Sequence, residues 1–300
     1  MAMVFELMEC NLYEWIKDRK TYLPEDQVKL RMFQSLKALE HMHRHGVFHR
    51  DIKPENILLK EEALKLADFG SCKGVLSKQP YTEYISTRWY RAPECLLTDG
   101  FYDSKMDIWG LGCVFFELLT LRPLFAGKNE LDQVNKIHAV LGTPSQTLLD
   151  RFQRKNSHID FNFPPQEGSG LAPMLGHVSS DVRTVLNRML AYDSTLRPTA
   201  KELMRDPCFE SFWEQELVPK RRVSPGRGEI APKLPSYQTP EPQLFPSITK
   251  HNSYLKQFHQ RQKDRGRLGV KLLPEPLYQT KKITLEPRKP VGKPGLHRSL

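Results

Sequence analysis

The sequence predicts a mainly α-helical domain that carries one short β-hairpin and ends in a basic, Pro-rich tail. Three observations carry that prediction. Several segments repeat apolar residues at spacings of three and four, and one of them, over 105–119, is apolar almost all round. A pair of short apolar runs, Ile57-Leu58-Leu59 and Leu64-Lys65-Leu66, reads as two strands with a turn at Glu61-Glu62. The composition shifts near residue 215: residues 215–300 hold 18 Lys and Arg against 6 Asp and Glu, and 12 of the 23 prolines. Residues 1–214 are near neutral at −2, within a total charge of +10.

The elements follow in order. An extended apolar piece over 5–9 leads into a helix at Asn11, whose side chain can cap it with Glu14 completing a capping box. That helix is expected to end near Lys20. Pro24-Glu25-Asp26 opens a longer helix that runs to about His45 and is closed by Gly46. Val28, Met32, Leu36 and Leu39 form its buried stripe. His41, His43 and His45 suggest a metal cluster, but alternate helical positions point about 200° apart and cannot converge on one ion.

Residues 71–91 lack periodicity, and a segment of that length inside a domain is usually functional or mobile. Within the helix over 105–119, Asp107 is expected as a buried carboxylate that accepts hydrogen bonds from nearby backbone. Gly110 and Gly112 lie inside that helix, so they form no dinucleotide fingerprint. An amphipathic helix over 131–141 ends at Gly142-Thr143-Pro144. Residues 145–177 read as an irregular insertion. Helices over 179–190 and 199–204 flank Arg197, and Phe209, Phe212 and Trp213 close a first domain over 1–214. Residues 215–300 read as a disordered tail.

Composition also excludes classes. Cys10, Cys72, Cys95, Cys113 and Cys208 form no C-x-x-C pair, which argues against a disulfide framework or structural zinc and for a reducing compartment. The N-terminus lacks the basic start and small-residue exit of a signal peptide. The longest apolar run, over 108–116, is too short to span a membrane. A cytoplasmic or nuclear protein is expected.

The stretch His49-Arg50-Asp51-Ile52-Lys53-Pro54-Glu55-Asn56 organises the chain, with Asp68-Phe69-Gly70 and Ala92-Pro93-Glu94 after it. Phosphoryl transfer needs a positioned nucleophile and neutralised phosphate charge more than covalent chemistry. Asp51 suits the acceptance of a hydroxyl proton, and Lys53 suits contact with the transferred phosphate. Asn56 and Asp68 offer the hard oxygens that Mg²⁺ prefers. A single His-Arg-Asp is common by chance, whereas the ordered set is specific.

These motifs resemble the large, C-terminal lobe of the eukaryotic protein kinases. Thr82-Glu83-Tyr84 followed by 86–94 is similar to the mitogen-activated and cyclin-dependent kinase group, as is the insertion through Leu141-Gly142-Thr143-Pro144. The resemblance covers roughly 4–213. It implies serine/threonine phosphotransfer from ATP with Mg²⁺, with Asp51 as base, Lys53 on the transferred phosphate and Thr87 bracing both. It implies Mg²⁺ on Asn56 and Asp68, adenine at the backbone of Glu6 and Met8, and Leu58 as the pocket floor. Thr82 and Tyr84 become activating phosphorylation sites, with Arg50 receiving the phosphate on Thr82. Arg91 resembles the arginine linked to proline after the target residue. Glu94 and Arg197 resemble a buried ion pair, and Asp107 a loop-anchoring aspartate.

The expected partners are protein substrates and an upstream activating kinase. An import receptor or chaperone is a further candidate; a nucleic acid is not expected. The chain begins at what the resemblance makes the hinge, so the small β lobe, with its Gly-rich loop and its Lys–Glu pair, is expected to be absent. That opens an alternative to the active kinase: a catalytically inactive, truncated fragment that serves as a binding module or decoy. Lys220, Arg221 and Arg222 stand where the resemblance places an acidic docking site, which puts that docking mode in doubt.

Overall fold

The computed structural model describes residues 4–82 and 87–217. The chain divides after Val223, and the described residues all lie in the unit before that point. In order they form β1 (Cys10–Asn11), α1 (Leu12–Ile16), α2 (Glu25–Arg44), β2 (Val47–Phe48), β3 (Ile57–Lys60), β4 (Ala63–Leu66) and β5 (Lys73–Gly74). Helices α3 (Pro93–Leu96), α4 (Lys105–Thr120), α5 (Glu130–Leu141), α6 (Gln146–Gln153), α7 (Ser180–Met189), α8 (Ala200–Met204) and α9 (Glu210–Leu217) follow.

Helix α4 is the centre of the core. Every residue from Met106 to Leu119 on it is buried. Such a helix has no polar face to turn to water, so neighbours must cover it on all sides. It packs against α2 and α7. Two glycines permit the close approaches. A Cβ at Gly112 would come 3.0 Å from the Leu190 side chain, and one at Gly110 would come 3.2 Å from Ile52. The second approach seats the His49–Asn56 stretch directly on the core. Helix α2 contributes Val28, Met32, Leu36 and Leu39, all fully buried. Each such side chain contributes about 1.5–3 kcal/mol through burial.

The expectation of one hairpin with the small β lobe absent is corrected. Among the described residues five strands form two antiparallel sheets, a three-stranded one in the order β1-β3-β4 and a two-stranded one pairing β2 with β5. In the first, Cys10 pairs with Leu59 and Ile57 with Leu66; in the second, Val47 pairs with Gly74. Strands from the N-terminal part of the chain thus enter both sheets and give the domain its small β lobe. The reason for the miss is physical. Strands β1, β2 and β5 are two residues long, too short to show any alternation along the sequence.

Other boundaries also differ. The Asn11 capping box forms, with Glu14 N–H 2.9 Å from Asn11 Oδ1 and Asn11 N–H 3.1 Å from Glu14 Oε2. The helix nevertheless stops at Ile16 rather than near Lys20, because Lys17, Asp18, Arg19 and Lys20 supply nothing to bury. The insertion over 145–177 contains α6, held by the buried Leu148, Leu149 and Phe152. Helix α9 runs past residue 214. From residue 218 onward the expected tail lies outside the described residues.

Candidate active site

The loop between β2 and β3 carries His49 through Asn56, and its path is fixed from below. Asp107, buried in the first turn of α4, accepts the backbone N–H groups of His49 and Arg50 at 2.8 Å each. His43 Nε2 lies 2.8 Å from the same carboxylate. A buried carboxylate needs such partners to offset its lost hydration. Arg50 sits at φ 68°, in the left-handed region, which costs a side-chain-bearing residue about 1–2 kcal/mol. The two bonds to Asp107, from the His49 and Arg50 N–H groups, help hold it there. From above, His49 Nε2 meets Ala67 O at 3.0 Å, and Ala67 N–H donates to Asn56 O at 2.9 Å. The segment ahead of Asp68 is therefore tied to both ends of the loop.

Asp51 meets three donors. Its Oδ1 accepts the Thr87 backbone N–H at 3.1 Å. Its Oδ2 accepts the Asn56 amide at 3.0 Å and faces Lys53 Nζ at 2.9 Å. Burial opposes its charge, but Lys53 above all, then the Thr87 N–H and the Asn56 amide, hold its carboxyl below the usual range. A carboxylate has about four acceptor sites. Three donors occupy part of that capacity and orient the group, and a fourth donor, a hydroxyl, can still be accepted.

Asn56 donates its amide to both Asp51 O, at 2.8 Å, and Asp51 Oδ2. This turns its amide oxygen away from Asp51. Asp68 sits at φ 63° and is exposed, two residues beyond β4. Among the described residues no group of three or more His, Cys, Asp and Glu gathers as a metal site. Mg²⁺ on nucleotides typically takes one or two protein oxygens and completes its shell with phosphates and water. One amide oxygen and one carboxylate, of the kind Asn56 and Asp68 carry, fit that pattern.

The residues expected around adenine run beside the same sheet. Glu9 N–H donates to Leu59 O at 3.0 Å, which fastens the chain just ahead of β1 to β3. Leu58 on β3 and Met8 are both half-buried. The Glu6 side chain turns to Lys65 and to Lys60, and Lys65 chiefly holds its carboxyl below the usual range. Phe5, Leu7 and Phe69 are exposed.

On the far side of the loop, Arg50 is buried, with Nε 2.6 Å from Ser71 O and Nη1 3.1 Å from Tyr102 Oη. Thr82 is exposed and Tyr84 lies outside the described residues. Thr87 meets Asp51 through its backbone N–H. Arg91 is buried and pairs with Glu130 at 2.8 Å. Glu94 and Arg197 form a buried two-pronged pair. Three contributors escaped the sequence reading. Tyr102 bridges Arg50 and Thr82; Tyr90 donates to the buried Glu117 at 2.7 Å; His43 reaches Asp107. Their partners lie 20 to 64 residues away, where no local pattern points.

At the centre of this face a buried aspartate, Asp51, is held by a lysine, an asparagine and a backbone N–H. The protein kinase domain family matches residues 1–209, and the chain belongs to it. It is similar to the MAPK/MAK/MRK overlapping kinase of Homo sapiens, 47% identical over 280 residues, which is 92% of this chain and 65% of that protein. It is also similar to the serine/threonine-protein kinase ICK of Mus musculus, 41% identical over 80% of this chain and 38% of the relative. The serine/threonine-protein kinase MAK of Mus musculus is 39% identical over 83% of this chain and 38% of its own length. The chain thus spans less than two thirds of these relatives.

Proposed function

We propose that the chain is a serine/threonine protein kinase that transfers the γ-phosphate of ATP, with Mg²⁺, to Ser or Thr ahead of proline in protein substrates. The observation that carries this is the Asp51 carboxylate, held charged by Lys53, Thr87 N–H and Asn56 with capacity left for a substrate hydroxyl. In this reading Asp51 is the base, Lys53 steadies the transferred phosphate, and Asn56 and Asp68 hold the metal. Glu6, Met8 and Leu58 surround the adenine. Thr82 and Tyr84 are the sites an upstream kinase modifies, Arg50 receives the Thr82 phosphate, and Arg91 favours the proline. The basic tail over 215–300 serves an import receptor, a chaperone is a further partner of the chain, and the protein works in cytoplasm and nucleus. No helix among the described residues is long and apolar enough to cross a membrane.

The test is phosphotransfer from labelled ATP by the 300-residue chain, with Asp51→Asn and Asp68→Ala as controls. The wild type should exceed both by about 100-fold or more. Equal signals in all three reject the reading. The exposed Phe5, Leu7 and Phe69 favour a second one, a non-catalytic module that docks a partner on this face. Calorimetry separates the two: no heat with Mg·ATP, joined to no phosphotransfer, supports the module.

A further inference from the structure

We infer that the Tyr102 hydroxyl is a positioning group that couples Thr82 to Arg50, and through Arg50 to Asp51, before any phosphate is present. Tyr102 Oη donates to the Thr82 carbonyl at 2.7 Å and accepts Arg50 Nη1 at 3.1 Å. A phenol has one proton and two acceptor lone pairs, so one hydroxyl serves both partners without conflict. Burial pushes the phenol up to about 12, with Arg50 acting in the opposite direction, so the proton needed for the Thr82 bond stays in place at any physiological pH.

The ring is held independently of the hydroxyl. It packs on Tyr81 at 5.3 Å and on Phe48 at 6.4 Å between centroids. The Tyr102 carbonyl accepts Gln79 Nε2 at 2.7 Å. Tyr81 N–H donates to Gly100 O at 2.8 Å, so the chain just ahead of Thr82 is fastened to the same region by backbone. What the hydroxyl adds is the link to Arg50. That residue has its own N–H on Asp107 and its Nε on Ser71 O, and it precedes Asp51 in a strained turn. A displaced guanidinium pulls on that turn and so on the carboxylate beside it.

A phosphate on Thr82 would offer the same guanidinium a far stronger partner. The hydroxyl is therefore the device of the unphosphorylated protein, and it becomes redundant once the phosphate arrives. The inference takes its kinetic readout from the kinase reading above, and a second readout is independent of it.

The experiment is Tyr102→Phe in the full chain, which keeps the ring and removes one oxygen. Amide exchange over 49–51 and 79–82 should quicken about fivefold, as loss of one hydrogen bond implies, while α7 stays as in the wild type. In the unphosphorylated protein kcat should fall about fivefold with KM for ATP unchanged. With phosphothreonine installed at position 82, the same substitution should change kcat less than about twofold. Unchanged exchange in the two segments, or a rise spread equally over α7, overturns the inference. So does an equal kcat loss in both phosphorylation states. A wild type silent in both states sinks the kinase reading alone, and the exchange result then decides on Tyr102.

Discussion

Arg197 and Glu94 face each other in the interior with both guanidinium Nη atoms 2.6 Å from a carboxylate oxygen, and each residue is at most 2% exposed. Arg197 also donates to the carbonyls of Ala191 and Lys105, at 2.8 and 3.0 Å. It thereby joins α3, the start of α4 and the segment after α7. Arg197→Ala should lower unfolding free energy by about 3–5 kcal/mol, because it strands a buried carboxylate. Urea titration followed by circular dichroism measures this. Arg197→Lys should recover little, since an ammonium cannot match both oxygens at once.

The Asp107 anchor makes a second prediction. Asp107→Asn keeps one acceptor oxygen and brings an amide donor to a place that needs two acceptors. One of the His49 and Arg50 N–H groups loses its partner, at about 1–3 kcal/mol. Unfolding free energy should fall by that amount, and kcat should fall at least about tenfold as Asp51 loses its fixed orientation. A stability loss without a kcat loss would show that the anchor does not orient Asp51.

Gly100 provides a third. It lies at φ 82°, and a Cβ there would sit 2.1 Å from Tyr81 O. Gly100→Ala must push the chain at 81 away and adopt a disfavoured backbone. The expected loss is about 1–3 kcal/mol, with the Tyr81 amide exchanging faster because its bond to Gly100 O breaks.

Glu117 sets a pH dependence. Burial, opposed in part by the Tyr90 hydroxyl, raises its carboxyl from 4.5 to about 7. Between those values the folded chain binds the extra proton. The associated stability is full below about 4.5 and is lost as pH rises through about 7. Glu117→Gln removes the titration and leaves an acceptor for Tyr90. Its unfolding free energy relative to wild type should rise between pH 5 and pH 8 by up to about 3 kcal/mol. Parallel stability curves for the two proteins across that range would contradict this.

The parts of the fold legible in the sequence are those whose cause is local. An unbroken apolar run announces α4 because that helix needs burial on every side, and Asn11 with Glu14 announces a helix start because both partners lie within one turn. The strands β1, β2 and β5 were invisible because two residues carry no period and their partners lie far along the chain. Helix α6 was hidden by the prolines and glycines after it, although Leu148, Leu149 and Phe152 have helical spacing. His41 and His43 on α2 and His45 just past its end have partners the sequence did not announce. The His41 and His45 rings lie 4.3 Å apart, while His43 goes to Asp107. That last contact, like those of Tyr102, spans distances at which only packing decides.

The grip of Asp107 on the loop falls on main-chain amides at 49 and 50. Any residue except proline supplies the same N–H. What the anchor dictates is therefore a route through space, and its two bonds do not read the side chains along it. The chemistry displayed above can be rewritten while the platform stays the same, and a chain with another residue in place of Asp51 would still fold a recognisable pedestal beneath it.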